Sequence, residues 1–195
     1  MAEMKSLRDS LVDEIKDMYN AEKQLTKALP KLAKNATNPE LRAALESHLE
    51  ETREQVARLE QVFELLDETA KGKHCAGMAG IIEEGKSVME EEFDDTTMDA
   101  CLIASAQRVE HYEMAAYGTL VAWAQAMGHD EAADLLQQTL DEEKAADEKL
   151  STLAEGGINQ DAASAAHPDG DDDEAPAPAK KRAKPAPAKK AAKRR

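Results

Sequence analysis

The sequence predicts an all-α protein, an antiparallel bundle of four long helices, on three observations. Leucine, isoleucine, valine and methionine recur at steps of three and four over long stretches, the period of one helix face. The composition favours Ala, Leu, Glu, Lys and Gln, all good helix formers, while the aromatics number only two Phe, three Tyr and one Trp, too few to cover a sheet. The periodic stretches are separated by helix punctuation: Asn38-Pro39, Gly128 and Gly156-Gly157.

The first helix, capped by Ser6 or Asp9, runs to about Lys34 along Leu7, Leu11, Ile15, Met18, Leu25, Leu29 and Leu32. Pro30 lies late in it, where a kink costs least. Asn35 to Pro39 breaks the chain, with Asn38 as cap and Pro39 at the first helical position. The second helix extends from Pro39 to about Lys71, its inward side carrying Leu41, Leu45, His48, Gln55, Leu59, Val62, Phe63 and Leu66. From Gly72 to Thr97 glycines interrupt the pattern around one short helix containing Ile81, Ile82, Val88 and Met89. That segment is too long for a tight hairpin and predicts a crossover along the bundle. The third long helix begins at Thr97 or Asp99 and stops at Gly128, and the fourth runs from Asp130 to Ala154.

After Ile158 no apolar period survives. The bundle is therefore expected over residues 1–158. Residues 159–195, DGDDDE followed by Ala/Pro alternating with lysine clusters, are expected to form a disordered tail that cannot bury enough surface to offset its ordering entropy.

Charge narrows the function. The formal balance is −15, yet nine Lys/Arg and four Asp/Glu fall after Gly170, leaving the preceding part near −20. Such a body offers no basic groove to nucleic acid; the tail alone could contact polyanions without sequence preference. Cys75 and Cys101 are far apart and form no CxxC, which predicts a reducing compartment and no disulfide framework. MAEMKSLRDSL lacks the apolar core of a secretion signal, and no run approaches the ~20 residues of a membrane span. A cytoplasmic protein is expected.

Polar residues sit where the stripes should be apolar. They are Glu22 on the first helix, His48 and Glu51 on the second, Glu110 and Glu113 on the third, and Glu143 and Asp147 on the fourth. A buried unpaired carboxylate costs several kcal/mol or takes up a proton. So many in one interior would repel strongly at low dielectric, and two divalent cations would remove that repulsion. Mixed carboxylate and imidazole donors suit iron or manganese better than zinc with its thiolates. The spacing Glu22 to Glu51 nearly repeats as Glu113 to Glu143, as if each helical hairpin contributed one carboxylate per helix. The ideal di-iron pattern has Glu-x-x-His on two helices; here position 54 is Glu and position 146 is Ala. Tyr112 and Tyr117 lie near enough in sequence to donate hydrogen bonds to the ligands or to serve as radical sinks, with core packing the expected task of Tyr117.

YNAEKQLTKALPKLAK, HLEETREQVARLEQVFE, CAGMAGIIEEG, SAQRVEHYEMAAYGTL and LLQQTLDEEKAADEKL together resemble the YciE/YciF-type stress proteins, a ferritin-like family. The resemblance covers about residues 5 to 156. It implies a ferritin-like antiparallel four-helix bundle with an extra short crossover helix, homodimers, and a di-metal centre. The expected function is that of a di-metal protein of stress response, handling iron or reactive oxygen. A peroxidase, catalase or ferroxidase type of chemistry and metal storage are both compatible with it. The rival is a metal-free helical scaffold acting through its basic tail as a nucleoid or partner-binding protein.

Overall fold

The computed structural model describes residues 5–166, which form six α-helices, one π-helical turn and no strand. They are α1 (Leu7–Asn35), α2 (Pro39–Leu65), α3 (Ala76–Met89), α4 (Asp95–Ala126), α5 (Asp130–Leu153), the π turn (Ala154–Ile158) and α6 (Asn159–Ala166).

The ends follow from local chemistry. At the start of α1 the Ser6 hydroxyl accepts from the Asp9 amide, and the Asp9 carboxylate accepts in return from the Ser6 amide at 2.7 Å. Asn38 caps α2 through the amides of Glu40 and Leu41, with Pro39 at the first position. That helix ends at Leu65, six residues before the expected Lys71. Asp67 takes the left-handed conformation, φ 54°, and the Glu68 amide reaches back to the Phe63 carbonyl at 2.9 Å. Asp tolerates that conformation better than most residues, so the stop is local. α4 begins earlier than expected because Asp94 accepts from the amides and hydroxyls of both Thr96 and Thr97.

Four long helices make the bundle: α1 packs on α2 and α4, and α5 packs on the same two. The connection between the hairpins runs lengthwise along α1. Arg8 donates to the Leu66 carbonyl, the Lys73 amide to the Lys16 carbonyl, the Cys75 amide to Asn20, and finally Asn35 contacts Met89 at the end of α3. The chain thus crosses from the beginning of α1 to its end before α4 starts back, as the long glycine-broken segment predicts. Buried Asp99 on α4 locks that end. It accepts from the Thr37 amide and hydroxyl and from the Asn38 amide, at 2.6 to 2.8 Å.

One contiguous core fills the interior, with Leu11, Ile15, Met18, Leu25, Leu41, Leu59, Phe63, Leu102, Tyr117 and Leu120 wholly buried. Each such side chain stabilises by roughly 1.5–3 kcal/mol relative to exposure. α4 also carries α3 and α6 against it, so its apolar residues are spread around its circumference rather than gathered in one stripe.

Past the expected boundary at 158 the described chain continues as a short helix. Gly157, at φ 149°, turns the backbone after α5, and the Ala-rich NQDAASAA forms α6 against α4 without burying any residue. Good helix formers and one packing partner suffice where the apolar period is absent. Residues from 167 onward, and the tail expected there, lie outside the described residues. No helix among the described residues is long and apolar enough to cross a membrane.

Candidate metal centre

Five of the seven expected residues meet inside the bundle. α1 contributes Glu22, α2 His48, α4 Glu110 and Glu113, and α5 Glu143; each is at most 6% exposed. They reach the interior because they occupy the same inward lines as the core leucines. Four of them, His48, Glu110, Glu113 and Glu143, each offer a donor atom within 4.8 Å of the others. His48 Nε2 lies 3.4 Å from Glu110 and 3.9 Å from Glu143. Glu22 adjoins this quartet, facing Glu113 and held by the Tyr117 hydroxyl, which donates to its Oε1 at 2.5 Å.

Two expected residues are not brought in. Glu51 stands outside the quartet, its side chain 44% exposed and 3.5 Å from His48 Nδ1. One helical turn from an inward residue, its position on α2 points along the helix rim rather than into the core. Asp147 lies near the α4–α5 surface, where it accepts from Gln107 Nε2 at 3.1 Å and faces the exposed His111 at 3.4 Å. The near-repeat of Glu22–Glu51 and Glu113–Glu143 therefore fails in space, since His48 occupies the interior place on α2.

Two further interior residues, on inward lines but outside the expected ligand set, hold the acids. Gln55 is wholly buried and donates through Nε2 to Glu143 at 2.5 Å and to Glu142 at 3.1 Å. Tyr117 is wholly buried as expected of a packing residue, but its hydroxyl also orients Glu22. The signal for Gln55 was available: a polar side chain two turns beyond His48 on an otherwise apolar line. Tyr112 belongs elsewhere, its hydroxyl 3.1 Å from Cys75 Sγ and 3.4 Å from Asp17.

The site's electrostatics are those of uncompensated acids. Arg58 clamps Glu142 through two nitrogens at 2.7 and 2.8 Å and also donates to Thr139, so its charge is committed beside the quartet rather than within it. Among the described residues no lysine or arginine forms an ion pair with the five interior groups. Burial, and then the nearby Glu143, push Glu22 up to about 8. Burial does the same to Glu110, again to about 8, with Glu22 adding to the rise. Glu113 and Glu143 are raised well above the carboxylate range, each chiefly by burial. For His48 burial works against the charged ring, but Glu51, Glu143 and Glu22 outweigh it and the pKa is raised.

The donor set fits divalent cations. Glu22 Oε2, both His48 ring nitrogens, Glu110 Oε2, both oxygens of Glu113 and Glu143 Oε2 are buried without a hydrogen-bond partner. Buried polar atoms are seldom left so. Cations would satisfy these atoms and cancel the acids' repulsion together. A cavity of about 160 Å³ between α2 and α5 ends on His48 and Glu110. Ala44, Leu45, Ala145, Ala146 and Leu150 wall it, and Ser47, Glu51 and Lys149 stand on its rim.

A domain of unknown function (DUF892) matches residues 6–163 of this sequence. Protein YciF of Escherichia coli (strain K12) is 46% identical over 160 residues, which are 82% of this chain and 96% of that protein. The crystal structure of the E. coli stress protein YciF is similar to this fold with a TM-score of 0.78, at 46% identity, covering 80% of this chain and 99% of that one. The structure of YcfI from Rhodopseudomonas palustris gives a TM-score of 0.75 at 46% identity, over 77% and 96% of the two chains.

Proposed function

The chain belongs to the DUF892 family and is a YciF-like protein of ferritin-like fold, and from that premise we propose a stress-response protein that holds two iron or manganese ions and handles iron or reactive oxygen. One observation carries the reading: buried acids from three helices and an imidazole from the fourth converge with their donor atoms unpartnered. A bundle needing only stability would place leucines there, because well-packed apolar groups hold a core at least as well as uncompensated charge.

His48, Glu110, Glu113 and Glu143 would hold the ions, with Glu22 completing the set. Bound iron or manganese supplies redox chemistry toward dioxygen or peroxide. The chain's own residues do the rest. The Tyr117 hydroxyl fixes one oxygen of Glu22 and leaves the other free. Gln55 does the same for Glu143. Leu25, Leu45 and Tyr117, each at most 2% exposed, belong to the core that keeps bulk water from the acids.

Metal analysis tests this directly. Protein purified from cells replete in iron or manganese is expected to carry two equivalents per chain, lost in Glu113→Ala and Glu143→Ala. Metal-free protein under both conditions would sink the reading. Homodimers are part of the same proposal and are checked by light scattering. For the tail, nine Lys/Arg after Gly170 make a weak, salt-sensitive contact with polyanions the expected activity. Truncation at residue 166 removes that contact if the tail is responsible.

A further inference from the structure

We infer that Glu51, though sequence reasoning places it among the ligands, is a positioning residue that fixes the tautomer of His48. This inference depends on the metal centre proposed above and goes beyond it by assigning one ring nitrogen and one carboxylate to different tasks. His48 is 6% exposed, and its two nitrogens look in opposite directions. Nε2 faces Glu110 at 3.4 Å and Glu143 at 3.9 Å, both wholly interior. Nδ1 faces Glu51 Oε2 at 3.5 Å, on the half-exposed rim of the cavity between α2 and α5.

A neutral imidazole carries one proton, so the nitrogen that binds a cation must be the one without it. Glu51 accepts and never donates when ionised. It therefore draws the proton to Nδ1 and leaves the Nε2 lone pair directed at the interior acids. At 3.5 Å the contact is an ion-pair distance, and the positioning role needs the half-exposed Glu51 to approach Nδ1 to hydrogen-bond distance. The backbone adds rigidity from the other side, since the Thr52 hydroxyl donates to the His48 carbonyl at 2.8 Å inside the helix. Such carboxylate–histidine support is worth 10–100-fold in metal affinity where it has been removed. Glu51 itself stays outside the group of donor atoms that lie within reach of one another.

The test uses zinc as a diamagnetic probe on the full chain, with Glu51→Ala and Glu51→Gln. In the wild type, nitrogen NMR of His48 is expected to show Nδ1 protonated and Nε2 bound to zinc. Glu51→Ala should keep the zinc stoichiometry, lower affinity about 10–100-fold, and mix the tautomers. Glu51→Gln retains an acceptor oxygen and should restore both affinity and tautomer to near the wild type. A drop in stoichiometry in both variants would make Glu51 a ligand and overturn the inference while leaving the centre intact. Zinc on Nδ1, or unchanged affinity and tautomer in Glu51→Ala, overturns it equally. Wild-type protein that takes up neither zinc nor manganese overturns the centre, and the positioning role falls with it.

Discussion

Chelator-stripped protein should lose stability as pH rises, the reverse of what salt-bridged carboxylates produce. Glu22 and Glu110 are wholly buried, and in the folded chain both are raised from 4.5 to about 8, chiefly by burial. Between those limits the folded state holds more protons than the unfolded one, so the unfolding free energy falls with pH. His48 acts in the same direction: its folded pKa is raised, so its contribution is present below 6.5 and lost as pH climbs through the higher value. Moving one carboxyl from 4.5 to about 8 is worth on the order of 5 kcal/mol, at about 1.4 kcal/mol per pH unit. Roughly 1 kcal/mol of that has gone by pH ~5.5, and about 3 kcal/mol more is lost by pH ~8.5. The acids share protons with one another, so one group's worth sets the scale. For a domain of this size that corresponds to a fall in Tm of about 10 °C. Thermal melts followed by circular dichroism at the two pH values provide the assay, with Glu113→Gln as a control that flattens the trend. Loading with manganese should flatten or reverse it, because bound ions displace the protons. A Tm of stripped protein that stays level or climbs over this range would falsify the account of the interior acids.

Other perturbations separate scaffold from centre. Asp99→Ala strips three donors at the α1–α2 junction of their acceptor and should cost roughly 3 kcal/mol in denaturant melts, with metal content unchanged. Gly77→Ala brings a methyl within 2.7 to 2.9 Å of Tyr112 ring and hydroxyl atoms, so α3 or the ring must shift; a loss of about 1–3 kcal/mol is expected, relieved by adding Tyr112→Leu. Tyr117→Phe removes the donor to Glu22. It should keep two ions per chain but weaken them by up to about tenfold in competition titrations.

How much could be read without coordinates differs between scaffold and centre. The inward lines identify the four long helices, and Asn38-Pro39 and Gly128 mark two of their ends, because capping and periodicity are local properties. The end of α2 was misplaced since nothing in DETAKGK marks Asp67 as the residue that turns left-handed. α6 was missed because alanine propensity and a packing partner, rather than an apolar stripe, sustain it. At the centre, the oddity of an acid on an apolar line picks out Glu22, Glu110, Glu113 and Glu143, and an imidazole there picks out His48. Glu51 and Asp147 fail the same test in space. Each lies about one turn from an interior residue, and a helical wheel cannot separate the rim of a stripe from its middle. Gln55 lies on the inward line but outside the expected ligand set, because a neutral amide raises no charge alarm, although its burial demands partners as surely as an acid's does.

Ala146 stands three residues after Glu143, where the Glu-x-x-His pattern would put a ring. With Ala44 and Ala145 it leaves the seam between α2 and α5 unfilled down to His48 and Glu110. The centre is consequently lopsided: past the rim, a visitor arriving from water by this seam meets His48 and Glu110 first among the five interior groups, whereas Glu113 and Glu143 do not line it. Traffic and chemistry on that flank are thus set by methyl groups as much as by donors, and a single larger side chain there would shutter it without touching a ligand.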